Sequence, residues 1–490
     1  MSPQTPDPAA PGGQPDWEQV LRSMLGPAAD DAIAQLRAAG IDPAAMASGA
    51  GLPQDPAALQ QAFQQVQRMF AESGDEPVNW SMAHELARQQ AALGGDPSVS
   101  RAETERVQQA FSVAELWLDA ATDLPPTGAA GHAWSRAEWV EATLPTWRRL
   151  TEPVASSLST ALVQALGSSL PEGFAEELGT AGGPGGPLEG LPPGALSGLL
   201  GDGNGGPIDM GQLLRRLGSA VFGLQVGQAS GTLSREVFGA TDIGLPLLDR
   251  PVPVLVPHNV TAFGEGLEVP ADEVRLFLAL REAAATRLFT HVPWLRAHLF
   301  GLVETYARGI AIDADELGEA VRSVDPTDPQ ALQEALSGGI FVPQNTPEQA
   351  AALERLETSL ALVEGWVDEV TAQAALPHLP HAVPLREMLR RRRASGGPAE
   401  QTFATLVGLE LRPRRLRDAA ALWSAIGAER GQSGRDAVWQ HPDLMPGTGD
   451  LDDPAGYSAR RQTAIDEGAE LDRALAEILG EEPPAGDERA

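Results

Sequence analysis

The sequence predicts a mainly α-helical protein with at most a small sheet. Three observations carry that reading. Apolar residues recur at helical spacing through most of the chain, as Val107, Phe111, Ala114 and Leu118 do. Sustained alternation of apolar and polar residues, the mark of half-buried strands, is almost absent. The breaks between periodic stretches are rich in glycine and proline, as connections between helices are.

Taken in chain order, residues 1–16 are mostly Pro, Gly, Gln, Asp and Ala, too poor in apolar groups to offset the entropy of ordering, and are expected to be disordered. Helical stripes at 55–73, 78–93 and 135–166 define an N-terminal helical region over 17–168. Residues 169–207, which contain GGPGGPLEGLPPGALSGLLGDGNGGP, are a Gly/Pro-rich linker or loop. A helical core is expected over 208–447, with stripes at 209–238, 271–290, 346–376 and 400–428. The best extended segment is PVPVLVP at 251–257, whose prolines confine it to a sheet edge or a stiff loop. Residues 448–490 form an acidic tail with one helical pattern, from about Gly456 to Leu479. Gly223, Gly227 and Gly231 leave one helical face bare, so another core helix is expected to approach it closely.

Composition excludes several classes of function. With 35 basic against 67 acidic residues the net charge is −32, which opposes general nucleic-acid binding and association with anionic membranes. Cysteine is absent, which removes disulfides, thiolate zinc sites and cysteine nucleophiles. Lysine is absent as well, so no phosphate-binding loop of the GxxxxGK[ST] kind exists. No apolar run approaches the roughly 20 residues that span a bilayer, and residues 1–30 lack the pattern of a signal peptide. A cytoplasmic location is the expectation that follows.

Eight histidines are present, and few combinations make metal sense. His84 and Glu85 begin an HExxH pattern, but Arg88 stands where the second imidazole belongs. His291 and His298 are separated by Pro293, which resets the helix. His378 and His381 fall in a connection between helices. The unusual helical stretch is PADEVRLFLALREAAATRLFT, residues 270–290, where Arg281 lies in an apolar stripe with Val274, Leu278, Ala285 and Leu288. An arginine there needs a carboxylate, and LALVEGWVDEV offers Glu364, Asp368 and Glu369; otherwise Arg281 reaches the rim.

Several segments together, PVNWSMAHELARQ, QVGQASGTLSREVFGATDIGLPL, ALREAAATRLFTHVPWLRAHL and LALVEGWVDEV among them, resemble an actinobacterial family of zincin-like, zinc-dependent metalloproteases, hydrolases of unknown substrate. The resemblance spans about residues 76–455. It implies a helical core in which one helix brings an HExxH motif against a downstream Glu, with zinc held between them. Laid on this chain, the motif reads Arg281-Glu282-Ala283-Ala284-Ala285. Glu282 falls at the general-base position, Glu364 at the third-ligand position with Glu369 as alternative, and Arg281 and Ala285 replace both imidazole ligands. The departure predicts a degenerate site, weakly active or inactive by the usual route, with Arg281 supplying the positive charge in place of the ion. The alternative is a non-catalytic binding or scaffold protein for an unknown protein or peptide. It would engage an anionic partner through Arg390–Arg393 and through Arg412, Arg414, Arg415 and Arg417, unless these arginines pair with the chain's own acids.

Overall fold

The computed structural model describes residues 76–169, 210–308, 346–394 and 415–479. The segments expected to be disordered (1–16) or a linker (169–207, apart from Ser169), the stripe at 55–73, and Arg412 and Arg414 lie outside them. Among the described residues the fold is helical with one two-stranded sheet.

The described residues fall into two units, 76–82 with 158–169 and 210–224, and 83–157 with 225–308, 346–394 and 415–479. Several helices contribute to both. The helices are α1 (Trp80–Ala92), α2 (Arg101–Leu118), α3 (Arg136–Ser169), α4 (Met210–Ser234), α5 (Pro257–Gly264), α6 (Ala271–His291), α7 (Pro293–Arg308), α8 (Pro347–Ala375), α9 (Ala382–Ala394), α10 (Leu416–Asp436), α11 (Thr448–Asp452) and α12 (Tyr457–Leu479). The strands are β1 (His132–Ala133) and β2 (Val254–Leu255).

In the first unit, Gly223 of α4 sits where an added Cβ would lie 2.6 Å from the carbonyl oxygen of Asn79. In the second, Gly227 and Gly231 meet Ala83 and Ala87 in the same way. The partner that the bare glycine face calls for is therefore α1.

The second unit is built around α6 and α8, each buried around most of its circumference. That is why their hydrophobic residues cover more than one stripe. α6 packs on α2 and α8, and α8 packs on α7 and α10. The start of α8 is fixed by a capping box: Gln349 N donates to Thr346 Oγ1 at 3.2 Å, Thr346 N donates to Gln349 Oε1 at 3.2 Å, and Pro347 opens the helix. Asp272 and Glu273 occupy the first turn of α6, where the helix dipole favours acids, and Pro293 begins α7 just beyond its end. Arg287, fully buried on α6, ties that helix to α2 by donating to Glu115 Oε2 (2.7 Å), Asp119 Oδ1 (2.8 Å) and the carbonyl of Leu124 (3.0 Å).

Contact between α8 and α10 depends on Gly365. A Cβ there would lie 2.6 Å from Ala419 Cβ and 2.8 Å from the Ala420 backbone nitrogen. Backbone cannot step aside as a flexible side chain does, so Gly365→Ala is expected to cost about 1–3 kcal/mol in urea unfolding despite the better helix propensity of alanine. A neutral or stabilising effect would show that the two helices separate freely.

The proline-rich segment does supply the extended chain. β2 pairs in parallel with β1, His132 opposite Val254 and Ala133 opposite Leu255. The β1 partner carries no sequence signal, being two residues long. Next to it, Val256 N donates to Phe238 O at 2.8 Å and Trp139 Nε1 donates to Gly239 O at 3.0 Å. Asn259 Nδ2 donates to the carbonyls of Ser234 and Val237 at 2.9 and 2.7 Å. Together these bonds tie the start of the turn 237–243 to β2, α3 and α5.

Candidate functional site

Adjacent residues on a helix point about 100° apart, and that separates Arg281 from Glu282. Arg281 faces α8. Its Nη2 donates to Glu364 Oε2 at 3.1 Å, and its Nη1 lies 3.8 Å from Asp368 Oδ1. Arg281 does not run out to the rim: its side chain is 11% exposed, and those of Glu364 and Asp368 are 6% and 2% exposed.

Helix α9 completes the cluster. Arg386, Arg390 and Arg393 recur at i, i+4 and i+7, so they share one face. Arg386 meets Asp368 Oδ2 at 2.7 Å and Glu369 Oε2 at 3.0 Å, and Arg390 meets Asp368 Oδ2 at 2.6 Å. Arg393 lies 3.2 Å from Glu364 Oε1 and 3.2 Å from Asp242 Oδ1, and also donates to the carbonyl of Asp242. Four guanidinium groups thus meet four carboxylates, and the formal charges cancel. Burial opposes ionisation of Asp368, but the hydrogen bond from Arg386 and the charges of Arg281 and Arg386 outweigh it and hold the carboxyl below its ordinary range. Burial likewise opposes the charge on Arg386, and Asp368 and Glu369 reverse the effect and raise it.

Glu282 turns the other way, into the turn held by the strand pair. It accepts from Ala240 N at 2.8 Å, Thr241 N at 3.2 Å and Thr241 Oγ1 at 2.6 Å. The turn fits so closely that a Cβ on Gly239 would collide with the Glu282 carboxylate and lie 2.6 Å from Val254 O. Burial pushes the Glu282 carboxyl up to about 7, against the pull of the Thr241 hydroxyl and the two backbone amides. Arg281 is not among its partners, so the positive charge serves Glu364 and Asp368 and not Glu282.

These residues do not fit a zinc ion. Zinc wants three or four nitrogen, sulfur or oxygen donors converging at about 2.0–2.3 Å. Ala285 has no donor, a guanidinium stands at position 281, and the two oxygens of Glu364 are each engaged by an arginine. Among the described residues no group of three His, Asp or Glu is placed to hold a metal ion.

The other candidates, His291 apart, find partners within the chain. His84 and Arg88 both meet Glu141 Oε1 at 2.7 Å on the exposed side of α1. His378 stacks on Trp117 with ring centres 4.5 Å apart, and His381 Nδ1 lies 3.1 Å from Glu273 Oε2. His298 Nε2 is 3.2 Å from Ser359 Oγ, and His291 is exposed at the end of α6. Arg391 pairs with Glu387 at 3.1 Å, Arg392 covers the Phe238 ring at 4.1 Å, Arg415 meets Asp452 at 2.5 Å, and Arg417 meets Glu387 at 2.9 Å. Asp242, Thr241 and Arg386 were not singled out from the sequence. The one signal for Arg386 is its place four residues before Arg390.

The buried helix pair thus sets Arg281 of α6 against Glu364 of α8. Residues 78–457 match the family described as zincin-like metallopeptidase, and the chain belongs to that family. A solved structure from Chloroflexus aurantiacus, described as a candidate hydrolase with a novel fold, is similar in fold: 19% identity, a TM-score of 0.50, and coverage of 79% of this chain and 99% of that one. A search of curated proteins gives no match. Among the described residues no helix is long and apolar enough to cross a membrane.

Proposed function

We propose that this chain keeps the zincin-like fold while having lost zinc-dependent hydrolysis, with Arg281 taking the place of the ion as the positive centre of the site. The observation that supports this reading is the buried contact between Arg281 and Glu364, the residues at which the family resemblance puts the first and third ligands. A guanidinium supplies donors in a fixed fork and no lone pair, so it satisfies the carboxylates without activating water. Loss of the catalytic route leaves binding as the class of activity. An anionic partner at the arginine-rich segments would have to displace the intramolecular partners of Arg390, Arg391, Arg393, Arg415 and Arg417.

Metal analysis of the dialysed protein tests the proposal, and zinc well below one equivalent is expected. A full equivalent that survives dialysis and disappears in Glu282→Ala or Glu364→Ala would overturn it. The double variant Arg281→His with Ala285→His restores two imidazoles one turn apart. It is expected to gain zinc binding that Glu364→Ala then weakens.

A further inference from the structure

Away from the Arg281 cluster, a cavity of about 430 Å³ opens between α3 and α7, within the size range of small-molecule sites. Its walls are apolar, with Leu150 and Pro153 on one side and Pro293 and Phe300 on the other. Two cations, Arg149 and Arg296, line it as well. Both meet Asp249 Oδ1, at 2.9 and 3.1 Å, and Arg296 Nη2 also donates to Thr146 Oγ1 at 3.4 Å. Asp249 Oδ1 and Thr146 Oγ1 accept from only a few of the ten N–H donors of the two guanidinium groups, which leaves others to face an added acceptor. The Nε of Arg296 is buried with no hydrogen-bond partner among the described residues. The acid on the lining, Glu304, is held by Arg308 at 2.5 Å.

We propose that this cavity binds a small organic monocarboxylate, its carboxylate meeting Arg149 and Arg296 and its apolar body lying along Phe300 and Leu150. Charge complementarity selects the head group: the pair of arginines carries one more positive charge than Asp249 neutralises, in a chain whose net charge is −32. The guanidinium of Arg296 lies 4.7 Å from the Phe300 ring centre, which places the cation beside the apolar wall. Burial and the neighbouring charge of Arg149 both disfavour the charged form of Arg296, and a bound anion relieves the second effect. The walls select the body, because inorganic anions gain nothing from them.

Calorimetric titration of the full chain with hexanoate, hexanamide and inorganic phosphate tests this. Hexanoate is expected to bind saturably at one site, with hexanamide weaker by about tenfold or more and phosphate not saturating, since a hydrogen-bonded charge is what the amide lacks. Arg296→Gln is expected to weaken hexanoate by a similar factor. Gly301 lines the cavity, and a Cβ there meets nothing within 4 Å, so Gly301→Leu fills the space without displacing a neighbour. That variant is expected to lose hexanoate binding while melting at or above the parent temperature, because leucine favours helix over glycine. It keeps the test decisive should Arg296→Gln fail to fold. Equal binding of hexanoate and hexanamide, undiminished binding in Gly301→Leu, or phosphate binding as tightly as hexanoate would each overturn the proposal.

Discussion

Replacing Asp368 with alanine is expected to lower the free energy of unfolding by about 3–5 kcal/mol, the usual consequence of removing one partner from a buried ion pair. Asp368 is 2% exposed, and its Oδ2 alone serves Arg386 and Arg390 while Oδ1 faces Arg281. Its removal leaves three guanidinium groups converging on a void that they cannot all leave for water. Asp368→Asn keeps one acceptor and the shape, and is expected to lose less. Because the pair is buried, the loss should persist in high salt, unlike that of an exposed pair. Acid provides a second readout. The folded-state value of Asp368 lies below that of the unfolded chain, so its stabilisation is present above the unfolded value near 3.8 and is lost as the pH falls through the depressed one. The variant should therefore be least inferior to the parent at the acid end. A loss below about 1 kcal/mol at neutral pH would mean that the cluster is solvated, and would remove the argument that it replaces an ion.

The charge cluster also shows what a sequence exposes and what it conceals. The helices are legible because burial imposes a period on each of them, and the Arg281 problem is legible because a cation in an apolar stripe of α6 demands an acid somewhere. Glu364 follows from the same logic, since it and Asp368 sit one turn apart in the largely apolar LALVEGWVDEV stretch of α8. What no local pattern reveals is which third element closes the cluster. Arg390–Arg393 stand out in the sequence as a basic run that pairs either with the chain's own acids or with an anionic partner, and only α9 seen against α8 shows which acids: the common face of Arg386, Arg390 and Arg393 turns to Asp368 and Glu364. Asp242 is hidden for the same reason, because its role depends on meeting Arg393, 151 residues further along the chain. Glu282 differs again: the motif position gives its identity, and only the turn at 240–241 shows where its lone pairs are spent.

That turn decides the meaning of Glu282. A carboxyl whose value lies near 7 is what a general base would want, and on titration alone Glu282 resembles one. Its geometry says otherwise, because Ala240 N, Thr241 N and Thr241 Oγ1 already occupy its two oxygens. The residue is an anchor for the turn, and its titration should appear in stability. Folding raises its value from 4.5 to about 7, so between these limits the folded protein holds a proton that the unfolded chain has released. Its contribution is therefore complete below about pH 4.5 and is lost as the pH rises through 7, a change of about 3 kcal/mol at 1.36 kcal/mol for each unit. Comparing urea midpoints of the parent and Glu282→Gln from pH 4.5 to 8.5 isolates the effect, since every other group titrates in both proteins. The parent curve is expected to fall relative to the variant across that range. Parallel curves would show that the carboxylate stays ionised throughout, with the three donors outweighing burial. A third variant separates the anchor from a base: Thr241→Val removes the hydroxyl donor, and should move the fall to higher pH by weakening the ionised form.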